Sequence, residues 1–310
     1  NGIYNYSGGY WKSVKGNYSG VVNFDTIYNI NHIYINPNNT NQIYATSLNG
    51  LIEFENDIPL KLYNKTNSPF RGTSAHGRDS IVIGSIVADV NNDLWFTNAN
   101  TPNALHIKRS NGSWESIDFS AILGSKPNVG SLIIDKQKQK WIILPSNGLM
   151  VYKGEGEEIT SDNVKIISTE EGRGALPSKE VYCIVEDLDG RIWAGTQKGV
   201  GVFFAPANVF TGNKFDAEKV YVQQDGSTQL LLETETVQAI AIDGANRKWF
   251  ATLRSGVFLM SADGTKEIYH FTETNSPLLS NNVKSIAINS QNGEVFFATD
   301  KGIVSFRSTA

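Results

Sequence analysis

The chain has 310 residues, which suits one large all-β domain or two small ones, and its 40% hydrophobic fraction is sufficient for a buried core. A formal net charge of −4 argues against a nucleic-acid platform, and one cysteine excludes an internal disulfide bond. No apolar run approaches the roughly 18 residues of a transmembrane helix, so no membrane span is predicted.

One unit recurs along the chain at intervals of roughly 50 residues, the spacing of repeat architectures. Each copy has an alternating apolar run ending in Asp or Asn, a short turn, a second run with an aromatic residue, and a third run led by Gly; the clearest copy spans 181–203. The Asp or Asn positions are Asn36, Asp89, Asp135, Asp187, Asp243 and Asn289. The aromatic partners are Tyr44, Trp95, Trp141, Trp193, Trp249 and Phe296.

Four short strands per copy, separated by Gly, Asn, Asp and Pro, are typical of a β-propeller blade. The predicted fold class is therefore all-β, a β-propeller of four-stranded antiparallel blades closed by N- and C-terminal strands. The strand count favours six blades, with the Trp11 strand completing the last one because it resembles the fourth strand at Trp114. Seven blades, one lacking its inner strands, remains the alternative.

The repeated residues are interpreted structurally. The Asp and Asn positions begin tight turns, and the aromatic rings are expected to pack between neighbouring sheets. None of the histidines, His32, His76, His106 and His270, forms a metal-binding pair, and no cofactor or nucleophile motif occurs. No catalytic residue, metal or cofactor is predicted. The pairs Glu157-Glu158 and Glu170-Glu171 keep a hydrolase or lyase acting on polysaccharide as an open alternative.

The loops offer a candidate binding surface. In a four-stranded blade, the turn between the second and third strands lies on the same face as the connection from the fourth strand to the next blade. Cationic side chains on this face could hold an anionic group such as phosphate or uronate. The candidates are Arg71, His76, Arg78, Arg173, Lys179, Lys198, Arg254 and Lys301.

The segments 176–181, 193–196 and 199–200 resemble the repeat of the two-component regulator propeller family, with Lys179 where Asn is usual. A second good match runs from Leu279 to Val283 and from Ala298 to Ile303. The resemblance covers nearly the whole chain and implies the propeller fold. It carries over no catalytic residues, because the shared motif residues are structural.

The tail segments 246–252, 275–283 and 302–307 are most similar to propellers of a surface component of type IX secretion. That resemblance implies a non-enzymatic, exported, outer-membrane-associated scaffold that engages secretion proteins and anionic lipopolysaccharide. The alternative is a glycan-sensing periplasmic propeller of a hybrid two-component kinase. Residues 1–310 are expected to form a single propeller domain cut from a longer exported protein.

Overall fold

The computed structural model describes residues 3–7, 10–27, 29–75, 78–212, 214–224 and 227–307. The chain divides into two compact units. Unit 1 comprises Asn1–Ile134 and Gly154–Thr160, and unit 2 comprises Asp135–Lys153 and Ser161–Ala310. That residues 1–310 act as one domain stays a prediction.

Unit 1 consists of short strands with one single-turn helix, α1 (Ser120–Leu123), and a 3-10 turn at Phe24–Thr26. Its strands are β1 (Ile3–Ser7), β2 (Tyr10–Val14), β3 (Asn17–Tyr18), β4 (Val22–Asn23), β5 (His32–Ile35), β6 (Gln42–Ser47), β7 (Gly50–Glu55), β8 (Ile58–Tyr63), β9 (Thr73–Ala75), β10 (Arg78–Ser80), β11 (Val82–Ala88), β12 (Leu94–Ala99), β13 (Leu105–Lys108), β14 (Trp114–Ile117) and β15 (Leu132–Ile134).

Unit 2 is likewise built from short strands, with a 3-10 turn at Pro206–Phe210. Its strands are β16 (Lys140–Ile143), β17 (Leu149–Tyr152), β18 (Val164–Ile167), β19 (Val181–Glu186), β20 (Ile192–Thr196), β21 (Gly199–Phe203), β22 (Tyr221–Gln224), β23 (Ser227–Leu230), β24 (Val237–Ile242), β25 (Lys248–Thr252), β26 (Val257–Met260), β27 (Glu267–Phe271), β28 (Val283–Ile288), β29 (Val295–Thr299) and β30 (Gly302–Phe306).

The strands form six successive blade sheets in which each strand pairs antiparallel with the next, so the predicted β-propeller is confirmed with six blades. Their orders are β5-β6-β7-β8, β11-β12-β13-β14, β15-β16-β17-β18, β19-β20-β21, β24-β25-β26-β27 and β28-β29-β30. The fourth sheet gains a partial fourth strand through the bridge between Val202 and Glu218. Within the described ranges, no helix is long and apolar enough to cross a membrane.

Strand β2, which carries Trp11, does not take the position expected from its sequence. It pairs with β1, with Trp11 opposite Tyr6, and the two rings lie 4.9 Å apart between centroids. The resemblance between the Trp11 and Trp114 segments identified strand character correctly. It did not identify the pairing partner of β2. Pairing with the adjacent strand β1 is favoured because closing a short hairpin loop costs less entropy than bringing a distant strand into place.

Each of the four Asp–Trp copies contains the same hydrogen-bonded arrangement, which we call the Asp–Trp clamp. One carboxylate oxygen accepts from the indole Nε1 of the Trp six residues later, at 3.0, 2.8, 2.8 and 3.3 Å in chain order. The other oxygen accepts backbone N–H groups two and four residues after the Asp. The four clamps are Asp89–Trp95, Asp135–Trp141, Asp187–Trp193 and Asp243–Trp249.

The first and last copies have Asn instead of Asp, and their aromatic residues, Tyr44 and Phe296, have no indole N–H. Asn36 and Asn289 still accept the backbone N–H two residues later, both at 3.0 Å. The Tyr44 hydroxyl instead donates to buried Glu53 at 3.1 Å. Asp is therefore present in the copies where an indole N–H needs an acceptor, whereas Asn is sufficient in the copies where the side chain only stabilises the turn.

The third clamp also forms a buried ion pair. The ammonium of Lys248 lies 3.0 Å from the Asp187 carboxylate, and both side chains are fully buried. Burial opposes ionisation, but the Arg191 backbone N–H, the Trp193 indole and Lys248 outweigh it and hold the pKa of Asp187 below its usual value. Because Lys248 begins β25 of the fifth sheet, this pair joins that sheet to the fourth.

The clamped tryptophans of unit 2 pack against the following sheet, as expected from the sequence. Trp193 belongs to a buried cluster with Val237 and Phe250 of the fifth sheet. Trp249 lies 5.6 Å from Phe297 and 5.9 Å from Phe306 of the sixth sheet, measured between ring centroids. The carboxylate thus fixes a ring that contributes to the contact between sheets.

In the first, third and fifth copies, a glycine after the second strand lies against the carbonyl oxygen at the end of the fourth strand. Gly256 has φ +75, and a Cβ there would lie 2.1 Å from the carbonyl oxygen of Phe271. Gly148 has φ +80 and would meet the carbonyl oxygen of Ile167 at 2.2 Å. Both a left-handed backbone and the lack of a side chain are needed here, which explains the Gly of the repeat.

We predict that Asp187→Asn lowers the free energy of unfolding by about 3–5 kcal/mol, because it leaves the Lys248 ammonium buried without its counter-charge. Urea unfolding followed by Trp fluorescence measures this. The matched control, Asp162→Asn, removes an exposed carboxylate and should change stability by less than about 0.5 kcal/mol. Equal effects of the two substitutions would contradict the role of the pair.

A second prediction concerns the turn glycine. Gly256→Ala should destabilise the protein by about 2–3 kcal/mol, because the new methyl group meets backbone at a positive φ. Gly244→Ala is the control, since a Cβ there has nothing within 4 Å and Gly244 lies outside the positive-φ region. Thermal unfolding of both variants tests this, and a Tm for Gly256→Ala as high as that of Gly244→Ala would refute it.

Candidate functional site

In unit 2, backbone hydrogen bonds join each turn between second and third strands to the connections beside it. Gly148 N donates to Lys179 O, and Gly199 N donates to Glu235 O, both at 2.9 Å. Gly256 N donates to Asn281 O at 3.0 Å, and Asp300 N donates to Asn282 O at 3.3 Å. These turns and connections form one continuous surface, which we call the turn face.

Lys198 and Arg254 lie on either side of one connection of the turn face. The Thr236 hydroxyl donates to Gln197 O at 3.3 Å, and Leu253 N donates to Thr236 O at 3.0 Å. Lys198 and Arg254 are both exposed, and neither makes an ion pair within the described part of the chain. Both side chains are therefore available to an anionic ligand.

The other predicted cations of the turn face differ in their partners. Arg173 lies 3.4 Å from Glu170, and Lys301 lies 3.5 Å from Glu273, in exposed ion pairs that contribute little to stability. Lys179 is exposed and accepts the Gly148 N–H with its carbonyl oxygen. A ligand would have to compete with a carboxylate at Arg173 and at Lys301 but not at Lys179.

The predicted cations of unit 1 are close together in sequence but are only partly described. The guanidinium of Arg71 donates to the carbonyl oxygens of Ser68 and Phe70, at 3.1 and 2.8 Å, so it is held against its own connection. Arg78 begins β10, which pairs with β9 in a hairpin inserted between the first two sheets. The side chain of Arg78 and the whole of His76 lie outside the described residues.

The charge of the turn face is mixed rather than positive. Its turns and connections carry five cations, Arg173, Lys179, Lys198, Arg254 and Lys301, and seven carboxylates, Glu170, Glu171, Glu180, Glu233, Glu235, Glu273 and Asp300. An anion bound here would depend on individual hydrogen bonds to cationic side chains, since the summed field does not attract it.

Two of the three described histidines, His106 and His270, are held by packing and hydrogen bonds, whereas His32 is exposed in β5. His106 is fully buried in β13, with Nδ1 2.8 Å from the Ser116 hydroxyl and with no partner for Nε2 among the described residues. Burial, assisted by the charge of Arg71, lowers the pKa of His106 to about 4. His270 stacks on Phe258, with ring centroids 3.8 Å apart.

The remaining reactive groups do not assemble into a catalytic arrangement in the described parts of the chain. No group of three or more His, Cys, Asp and Glu side chains among those residues could hold a metal ion. Burial raises the pKa of Cys183 to about 12, which suppresses the reactive thiolate. Of the carboxylate pairs noted in the sequence, Glu170 pairs with Arg173, and Glu157 accepts the Glu155 backbone N–H.

Unit 2 also contains a groove that the sequence did not reveal. The groove has a volume of about 540 Å³ and lies between the β22–β23 hairpin and strands β26 and β27. Tyr221, Glu233, Glu267 and His270 are among its lining residues. The hairpin interrupts the four-strand pattern of the fourth copy, and the unusually long interval between β21 and β24 is the signal that could have indicated it.

Comparison with known proteins supports the fold and part of the repeat. Residues 175–198 match the family model described as "Two component regulator propeller". No curated protein matches the chain significantly.

Among solved structures, PorZ, an essential bacterial surface component of the type IX secretion system of Porphyromonas gingivalis, is similar with a TM-score of 0.78 and 23% identity. The match covers 90% of this chain and 39% of that chain. The extracellular domain of BT3049 from B. thetaiotaomicron, described as a putative hybrid two component system, has a TM-score of 0.66 and 16% identity. That match covers 100% of this chain and 37% of the other. Streptogramin B lyase has a TM-score of 0.61 and 13% identity, and the match covers 96% of this chain and 83% of the lyase. At these identities, the likeness shows the fold alone.

We predict that the buried His106 makes the protein less stable in acid. Its folded pKa of about 4 lies below the ordinary value of 6.5, so protons bind the unfolded state preferentially between these values. Its contribution is complete above pH 6.5 and declines as pH falls towards 4, by up to about 3 kcal/mol. His106→Leu should flatten the plot of unfolding free energy against pH in this window. An unchanged slope would show that His106 is not the titrating group.

Proposed function

We propose that this chain is a non-enzymatic, extracytoplasmic binding scaffold resembling the surface component of type IX secretion. The observation that carries the proposal is the fold similarity to PorZ over nine-tenths of the chain. The chain spans 39% of PorZ, so partner proteins and outer-membrane association are carried over as part of the proposal. The same comparison supports an exported location, at the cell surface or in the periplasm, as a further part of the proposal.

The structural use of the repeat supports binding rather than chemistry. Asp89, Asp135, Asp187 and Asp243 are occupied by indole and backbone donors, and Asp187 also neutralises Lys248. These four carboxylates are buried and engaged by donors of the scaffold, so they are not presented to a substrate. Recognition is therefore assigned to the turn face, where Lys198 and Arg254 are exposed.

An anionic glycan or lipopolysaccharide is the proposed ligand of the turn face. Lys198 and Arg254, like Lys179, supply cationic donors without carboxylate partners, and Arg173 and Lys301 complete the part of the predicted set that lies in unit 2. Arg71, His76 and Arg78 belong to unit 1 and stay a separate prediction from the sequence. Because seven carboxylates share this face, the ligand must place its anionic groups between them. Phosphate groups on a sugar chain carry the charge and the acceptor oxygens for such selective contacts.

A glycan-sensing propeller of a hybrid two-component receptor is the second candidate. It is favoured by the family-model match at residues 175–198 and by the likeness to BT3049. A polysaccharide hydrolase or lyase is the third, since a lyase shares the fold. The full coding sequence that contains these residues distinguishes the secretion scaffold from the sensor. A histidine kinase in the same reading frame would support the sensor, and a C-terminal sorting domain would support the scaffold.

The test of the anion proposal is binding to purified lipopolysaccharide before and after enzymatic dephosphorylation. The double charge reversal Lys198→Glu with Arg254→Glu should weaken binding to the phosphorylated form by at least about tenfold, and raised salt should weaken the wild type. Lys266→Glu is the control, because Lys266 lies in the turn between third and fourth strands at the opposite strand ends. Unchanged affinity in the double variant would end the assignment.

A further inference from the structure

The groove beside the β22–β23 hairpin has the shape and surface of a peptide-binding site. Its volume of about 540 Å³ falls within the range of ligand pockets. Buried Val222, Leu231 and Met260 contribute apolar surface to it, and all three belong to the core cluster that includes Trp193. A groove backed by a packed core holds its shape when a ligand binds.

The polar surface of the groove has one sign of charge. Glu233, Glu235 and Glu267 line it, and no Lys or Arg is among its described lining residues. The Ser255 hydroxyl donates to Glu235 at 2.8 Å. The carboxylates of Glu233 and Glu267 are exposed and have no ion-pair or hydrogen-bond partner among the described residues. Two carboxylates are therefore left for an incoming cation.

The connection that carries Glu233 is held in a constrained backbone conformation. Leu232 has φ 54, which is rare for a branched residue, and its carbonyl oxygen accepts the Glu235 N–H at 2.8 Å. The Glu233 N–H donates to Leu230 O at 3.3 Å, and Gly199 N anchors the far end through Glu235 O. These bonds fix where the Glu233 backbone lies, which limits the ordering cost of binding.

Aromatic side chains complete the groove. Tyr221 lies at the edge of the groove and is 55% exposed, although the preceding residue, Val220, is buried. His270 directs Nε2 at the Ser255 carbonyl oxygen, 2.7 Å away, and stacks on Phe258. Since a carbonyl oxygen can only accept, Nε2 carries the proton and donates. The exposed ring of Tyr221 offers a surface on which an apolar or guanidinium side chain can stack.

We propose that this groove binds an extended peptide segment that contains both basic residues, Lys or Arg, and apolar residues. The carboxylates of Glu233 and Glu267 would pair with the basic side chains, while the apolar side chains contact Val222, Leu231 and Met260. Charge complementarity selects this occupant over an anionic glycan, because the groove has no described cation to receive one. The proposal does not rest on the anion site at Lys198 and Arg254.

The experiment uses the full 310-residue chain and an acetylated, amidated heptapeptide of sequence GLKGFRG. Isothermal titration should show binding that weakens by at least about tenfold when both basic residues are replaced to give GLQGFQG. The double variant Glu233→Gln with Glu267→Gln should lose about tenfold in affinity for GLKGFRG. Its control, Glu171→Gln with Asp162→Asn, removes the same charge from exposed positions outside the groove and should bind as the wild type does.

Three results would overturn the proposal: no binding of GLKGFRG, equal binding of the two peptides, or equal affinity of the groove variant and its control. Displacement of the peptide by dephosphorylated lipopolysaccharide would also count against it, because the groove would then be a glycan site. Loss of lipopolysaccharide binding in the Lys198 and Arg254 variant leaves the peptide result unaffected, so the two proposals fail separately.

Discussion

The structure depends on a buried carboxylate that satisfies an indole N–H and a tight turn at once. A Trp ring between sheets contributes much apolar contact, but its N–H must be paired when buried. An Asp six residues earlier supplies that acceptor and also fixes the backbone of the turn that connects the two strands. At Asp187 the same carboxylate neutralises Lys248 of the next sheet, so turn, ring and neighbouring sheet are held by one group.

This constraint explains why the residues of the repeat are poor indicators of function. Residues that look chemically capable in the sequence, such as Asp187 or Lys248, are used to hold the scaffold together. Substitution of exposed side chains in the turns and connections, such as Lys198, Arg254 and Glu233, would break no clamp. The proposed binding is therefore assigned to the loops and insertions that a rigid repeat displays.

Sequence reasoning gave the fold class, the blade strands and the packing of Trp193 and Trp249, because strand periodicity and turn residues are local signals. The indole bond was not predicted, although the sequence contains its signal: Asp accompanies Trp in four copies, and Asn accompanies Tyr44 and Phe296. The partner of β2, the buried pair of Asp187 with Lys248, and the groove at Tyr221 were not predictable. Each depends on which distant segments become neighbours, and spacing along the chain does not determine this.

Hydrogen exchange of the indole N–H protons, followed by NMR, tests the clamp most directly. Trp95, Trp141, Trp193 and Trp249 should exchange only through unfolding, with protection that approaches the global free energy of unfolding. Trp11 is 53% exposed in the β1–β2 hairpin and should exchange rapidly, which provides the internal reference. Four slow indole signals beside a fast Trp11 signal are the predicted result; the sixth tryptophan, Trp114, is half-buried outside a clamp, and its signal does not enter the test. Exchange of the four at the Trp11 rate would contradict the account.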